Sequence, residues 1–427
     1  MENIETLATP VTLQCGLVLP NRIVKGPMAE SLAKNSTANR PNDLHNVVYR
    51  AWGEANYGLL VTGNVQVDPR YLGDANDLVF HATDLNNPVA LSDWKIWATA
   101  CQSSGTPTVV QICHTGRQSV LGRGDRSLMT KALAPSAIAL DFPGGWFTKV
   151  LQKVLFGTPK EMTLIDIDEV VEMFVNCAKM AFIAGFKGVE LHAAHGYLFT
   201  QFLSPKMNTR TDDYGGTPEK RLKFTLRVIA EIRAATSKSF CIGVKLNSSD
   251  FQSMGISEDE VLAQVTALSS ANVDFIDISG GTYENAKTMP QFGGTLPEPI
   301  VQLRESTIRR EAYFTEFAAK ARKAAPGTVI MVTGGFRTRV GMASAVQQGA
   351  CDLIGIARPA ALEPRFPIEK ILNPKVSDEE AVAVKTKVDG GWLKNIPIIG
   401  LGAESIWHAA QIGRIAVGKR PDPALHL

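Results

Sequence analysis

The chain has 427 residues, 45% apolar and 20% charged, with 44 Lys and Arg against 42 Asp and Glu for a formal charge of +2. That composition supplies a large core and excludes global disorder, while the near-balance of charge excludes a protein that grips nucleic acid electrostatically. No apolar run reaches the roughly 18 residues of a membrane span; the acidic Met1-Glu2-Asn3-Ile4-Glu5 start is no secretory signal, and six scattered cysteines without a CxxC pair predict reduced thiols, a cytoplasmic location and no metal site.

Eight short apolar, β-branched segments follow one another: Arg22 to Gly26, Gly58 to Thr62, Thr108 to Cys113, Gly188 to Leu191, Phe240 to Leu246, Val273 to Ile278, Val329 to Thr333 and Asp352 to Ile356. Runs of this kind read as parallel strands buried on both faces. Between them lie predicted helices over Leu44 to Ala55, Asp93 to Ser103, Asp166 to Ala184, Glu219 to Ala235, Glu258 to Ser270, Glu311 to Ala324 and Arg339 to Gln348. Thr217 before Pro218 is a cap followed by proline at the first helical position. Ser257 with Glu260 three residues on predicts a capping box.

Eight strand and helix alternations predict an α/β protein built as a single (β/α)8 TIM barrel, since open doubly wound sheets stop at five to seven strands. Three stretches exceed the minimal unit: a Gly- and Pro-rich cap over 115–165 in the β3-α3 loop, a rim loop over 281–310, and the tail beyond Pro359. The expected division is a barrel domain over 1–365 and a C-terminal helical extension over 366–427 packed on it. Setting the long loops and ends aside leaves about the 250 residues a barrel needs.

The rim at the strand C-termini is where such barrels do chemistry. Strand 4 runs into His192-Ala193-Ala194-His195-Gly196-Tyr197, placing two imidazoles and a phenol in one rim loop. Imidazole N–H groups stabilise charge developing on a carbonyl oxygen and a phenol can protonate a carbanion; a structural histidine cluster is the competing reading, and zinc lacks a third ligand. Strands 7 and 8 end in Gly334-Gly335 and Ala357-Arg358, glycine backbone and a cation where barrels bind phosphate. Lys245 interrupts the apolar run of strand 5 and needs a partner; as a residue type it fits a Schiff-base nucleophile or a cation facing an electron-rich cofactor equally. Gln111, ahead of His114 and Arg117, is a second polar intrusion.

Together these residues resemble the Old Yellow Enzyme family of FMN-dependent ene-reductases over roughly residues 10 to 365. The resemblance is carried by Leu19-Pro20-Asn21-Arg22-Ile23-Val24-Lys25-Gly26-Pro27-Met28, by Gln111-Ile112-Cys113-His114-Thr115-Gly116-Arg117, by Pro159-Lys160-Glu161-Met162-Thr163, and above all by His192 through Gly216. It implies non-covalent FMN across the barrel mouth. Pro27, Met28 and Ala29 would face the flavin edge, Gly63 would lie beneath it, and Gln111 would bond the pyrimidine ring. Lys245 would stand against N1 and O2, and Gly334, Gly335, Ala357 and Arg358 would hold the phosphate. His192 and His195 would grip the substrate carbonyl, with Tyr197 as proton donor. Apart from the resemblance, the 115–165 cap and the loop carrying Tyr283 would select the substrate, with Tyr283 as a substrate contact. The expected partners are NADPH or NADH and an enone or enal, in a ping-pong reduction of the C=C bond, with room for a homodimer and no membrane partner.

Two positions depart from the family pattern. Ala29 stands where Thr or Cys is usual, and Lys245 where many members have Arg, keeping the charge but losing the planar fork. The same site would serve a flavin-dependent desaturase or isomerase of a specialised metabolite. A non-redox Schiff-base lyase using Lys245 is the reading from another class.

Overall fold

In the computed structural model, residues 1–142, 144–247, 255–279, 317–384, 386 and 399–426 are described. The barrel strands are β1 (Ile23–Lys25), β2 (Leu59–Gln66), β3 (Thr108–Cys113), β4 (Gly188–Ala193), β5 (Cys241–Asn247), β6 (Phe275–Ser279), β7 (Val329–Thr333) and β8 (Leu353–Ile356). Each pairs in parallel with the next, and β8 returns to β1 with Ile354 opposite Ile23, so the barrel closes without an edge. All eight predicted strands form. Their residues are buried almost without exception, as strands between a packed interior and a helical ring must be.

The ring consists of α1 (Asp43–Gly53), α2 (Pro88–Cys101), α3 (Leu164–Ala184), α4 (Pro218–Ala235), α5 (Glu258–Ser270), α6 (317–324, the described part of the predicted 311–324 helix), α7 (Arg339–Gln347) and α8 (Ile399–Ala416). The tail helix α8 packs against α1 and the short Arg358–Leu362 helix, next to where β8 meets β1. No helix among the described residues is long and apolar enough to cross a membrane. Thr217 caps α4 as its sequence predicts. At α5 only half of the expected capping box forms: Ser257 accepts from Glu260 N–H at 3.2 Å, while the Glu260 carboxylate pairs with Arg221 of α4. A charged partner on the neighbouring helix is stronger than a neutral backbone N–H.

Period-two alternation sends every second strand residue inward. A hairpin of Val11–Thr12 and Val18–Leu19 stands at the N-terminal end. Leu13 and Leu19 pack there with Val24, Leu59, Val61, Val109, Phe275, Met331 and Leu353 to fill the lower barrel. The same parity, one step higher, turns Gln111, Glu190, Lys245 and Asp277 inward, so the apolar plug is topped by a polar layer. The 115–165 cap contains a helix (Trp146–Leu155) and its own small cluster of Leu140, Phe142 and Phe156. It is pinned to the rim by Arg117, whose guanidinium donates to the carbonyls of Ile138 at 3.2 Å and Ala139 at 2.9 Å. The 281–310 rim stretch lies outside the described residues.

Candidate active site at the barrel mouth

The β4 loop gathers the predicted triad. His192 is the last residue but one of β4, 5% exposed, and its ring lies 5.0 Å from that of His195 and 4.7 Å from that of Tyr197. The tautomers follow from one backbone donor. Ala194 N–H donates to His192 Nδ1 at 3.3 Å, so the proton of His192 sits on Nε2. It points at His195 Nδ1, 3.3 Å away, which leaves the His195 proton on Nε2, 3.4 Å from Ser279 Oγ. Burial, then the neighbouring His195 and Lys245, hold His192 well below its ordinary pKa, so it is a neutral N–H donor.

His195 has φ +61°, a left-handed conformation that costs a non-glycine residue about 1–3 kcal/mol unless its surroundings enforce it. Two side chains enforce it here. Asn247 Oδ1, at the end of β5, accepts His195 N–H at 2.7 Å, and Gln118 Nε2 donates to His195 O at 2.9 Å. Gly196 follows with φ +79°, and a Cβ there would run into Gln118 Nε2, so the turn that aims His195 requires glycine.

The polar layer beneath is paired in two halves. Lys245 forms an ion pair with Asp277, its register partner on β6. Gln111 Nε2 donates to Glu190 Oε2 at 2.6 Å. Glu190 Oε1 and Asp277 Oδ1 have no hydrogen-bond partner among the described residues. Lys245 therefore has the inward partner its sequence position demanded. That partner, Asp277, and Glu190 were both missed by motif reasoning, although each is a carboxylate at an inward position of an apolar strand.

Gly63 owes its place to an irregularity. The β2 to β3 register slips between Val61 and Asn64, a bulge that turns local backbone groups out of the ladder. Gly63 N–H donates instead to Glu30 Oε1 at 2.9 Å and the Tyr49 hydroxyl at 2.8 Å, and Tyr49 donates to the same carboxylate. Gln111 N–H is taken by Thr62 Oγ1 at 3.0 Å. A Cβ on Gly63 would lie inside van der Waals contact of Glu30 Oε2 and the Met28 carbonyl, which places the Pro27-Met28-Ala29 segment beside Gly63. Nothing in the motifs signalled Glu30 or Tyr49.

Gly334 and Gly335 follow the end of β7, and Ala357 and Arg358 follow the end of β8. Gly334 has φ +124° with open space where a Cβ would stand, and Gly335 has φ +80°. Ala357 precedes the Arg358–Leu362 helix, and Arg358 lies 3.5 Å from Glu404 of α8. Thr333 Oγ1, next in the chain to Gly334, is buried without a hydrogen-bond partner among the described residues. Tyr283 lies outside the described residues. One further cluster with ligand-like spacing, Cys15, Cys241 and Asp274, sits at the opposite end of the barrel. There the two Asp274 oxygens already accept from Cys15 N–H, Ile242 N–H and Arg233.

Two facing imidazoles and a phenol thus lie at the mouth above a layer in which Lys245 is paired with Asp277 and Gln111 with Glu190. The chain belongs to the NADH:flavin oxidoreductase / NADH oxidase family, the Old Yellow Enzymes, which it matches over residues 6–373. Among its relatives are two NADH-dependent flavin oxidoreductases named iliE. That of Neonectria sp. (strain DH2) is 41% identical over 98% of this chain, which spans only 52% of that protein; that of Hypocrea jecorina (strain QM6a) is 39% identical, with 93% and 96% covered. An NADPH dehydrogenase of Bacillus pumilus (strain SAFR-032) is 30% identical over 90% of this chain and 96% of its own. Among solved structures, morphinone reductase superposes with a TM-score of 0.64 at 22% identity, covering 85% of this chain and 89% of its own. At that identity the likeness speaks for the fold. FMN, with NADH or NADPH as reductant, follows from the family, and the mouth suits it on two counts: the open cradle at Gly334 for an anion and the unpartnered Thr333 hydroxyl beside it.

Proposed function

We propose that this protein reduces the C=C bond of α,β-unsaturated carbonyl compounds with electrons from NADH or NADPH. The observation that carries the reading is the run of contacts from Ala194 N–H through His192 and His195 to Ser279, which sets two imidazoles side by side with the Tyr197 ring 4.7 Å from that of His192. When bound, FMN supplies a hydride relay between the nicotinamide and the alkene.

The protein residues do the rest. Backbone N–H groups at Gly334, Gly335 and Ala357, with the Arg358 guanidinium, would hold the phosphate. The Pro27-Met28-Ala29 segment and Gly63 would bound the flavin edge, while Gln111 and Lys245 would face its pyrimidine side. A substrate carbonyl oxygen would replace His195 Nδ1 as acceptor of the His192 Nε2 proton and take a second bond from His195 Nε2–H. Each such donor is worth about 3 kcal/mol in the transition state by analogy with oxyanion holes. Polarisation makes the β-carbon electrophilic, and Tyr197 O–H delivers the proton to the α-carbon. Asp277 holds the Lys245 Nζ in an ion pair, whereas the Schiff-base lyase reading needs that nitrogen free to attack a carbonyl.

The test is anaerobic. The yellow protein should bleach with one or both nicotinamides and recover its colour with enones but not with saturated ketones. Colour that never bleaches, or recovers equally with both classes, would overturn the proposal.

A further inference from the structure

The polar layer in the barrel is built from one residue on each of four consecutive strands, and its charges do not balance. Lys245 on β5 and Asp277 on β6 neutralise one another as an ion pair. Glu190 on β4 is left over, 0% exposed, with the Gln111 amide of β3 on one oxygen and no hydrogen-bond partner on the other among the described residues. The other groups that bear on it electrostatically are the Asp277 carboxylate and the Lys245 and Lys25 ammoniums, in that order after burial itself. His192, two residues along the same strand, is neutral for the reasons given above. When two buried carboxyls face one ammonium, the one in the ion pair stays ionised and the other is driven to its acid form.

We propose that Glu190 is the redox-linked proton site of this barrel: a buried carboxylic acid that keeps its proton against the negative charge of a reduced flavin and, when it starts ionised, takes one up from solvent on reduction. The inference rests on the reading that Gln111 and Lys245 face the flavin. Hydride transfer brings two electrons and one proton, so the cofactor gains one unit of negative charge. Lys245 alone cannot offset that charge, because Asp277 has already spent it, and the remaining adjustable group in the layer is Glu190. Its proton comes from water and no bond other than O–H is made. Glu190 is a positioning residue in this scheme, acting through Gln111 and the charge of the layer.

Burial and Asp277 push the Glu190 carboxyl up to about 8, which fixes the form of the test. Below about that pH the acid is already protonated, and reduction takes up one proton per two electrons. Above it the oxidised protein holds Glu190 ionised while the added negative charge favours its acid form, so the count rises to two. The midpoint potential of the FMN-loaded protein, measured spectroelectrochemically from neutral to alkaline pH, should therefore double its slope near that pH. Glu190→Gln should give one unbroken slope at the shallower value. Asp277→Asn, which removes the negative neighbour and frees the charge of Lys245, should move the break to lower pH. An unbroken slope in the wild type, a break retained in Glu190→Gln, or a break unmoved in Asp277→Asn would each overturn the proposal. A chain that takes up no flavin would overturn both this inference and the function it rests on, whereas a loaded chain with one straight line would overturn this inference alone.

Discussion

Replacing Lys245 by Met tests the floor of the site through stability. The side chains of Lys245 and Asp277 are 3% and 0% exposed, so the pair belongs to the fully buried class, in which removing one partner costs about 3–5 kcal/mol because the other charge is stranded. Lys245→Met strands Asp277 beside Glu190. Asp277→Asn strands Lys245, with Glu190 near enough to share the load, and should cost less. The double variant Lys245→Met/Asp277→Asn strands neither, and replacing a whole buried pair is often close to neutral. The double-mutant cycle, read from urea denaturation midpoints of the four proteins, should thus show a coupling no smaller than the Lys245→Met loss itself, about 3–5 kcal/mol. Strictly additive losses would refute the pairing, and an unaffected Lys245→Met would refute the burial of an uncompensated carboxylate.

Three further outcomes are expected. Tyr197→Phe should lower enone-driven reoxidation by about 10²-fold or more while leaving reduction by the nicotinamide nearly intact in stopped-flow; equal loss in both halves would remove Tyr197 as proton donor. Gly63→Ala should lose about 1–3 kcal/mol of stability through overpacking, seen as a lowered thermal midpoint and weaker FMN retention, since its Cβ meets the Glu30 carboxylate and the Met28 carbonyl. Glu190 supplies a pH signature of stability. With its folded pKa raised above the unfolded value, the folded state binds more protons in between, so its contribution is complete in acid and is lost as pH rises toward about 8. Glu190→Gln should flatten that decline in urea denaturation series, and an unchanged pH dependence would contradict the acid form of Glu190.

The barrel was legible because each strand is an apolar run bounded by turn residues, and a run buried on two faces looks the same whichever strand pairs with it. The mouth was legible where residues close in sequence also lie close in space: His192 at the end of β4 sits beside His195 and Tyr197, and Gly334, Gly335, Ala357 and Arg358 sit at two successive strand ends. The floor was legible only by halves. Lys245 stood out as a cation in an apolar strand, but its pairing with Asp277 depends on the β5 to β6 register, and the bond from Gln111 to Glu190 on the β3 to β4 register. No spacing within the chain encodes either. The capping box at Ser257 failed for a related reason, because Arg221 from another helix outbid the backbone for Glu260. The bulge at Thr62 and Gly63 interrupts the alternation that would have announced it, and Glu30 and Tyr49, which make the bulge stable, precede it in unremarkable company.

Gln118 stands at the foot of the 115–165 cap and also holds the His195 carbonyl. A residue of the cap is therefore also the holder of the histidine proposed to grip substrate. Coupling of this kind is reciprocal: whatever seats the cap steadies the imidazole, and whatever ligand the imidazole grips should seat the cap. Protease protection of the cap then becomes a gauge of occupancy at a distance, and cuts within it should loosen ligands that it never touches.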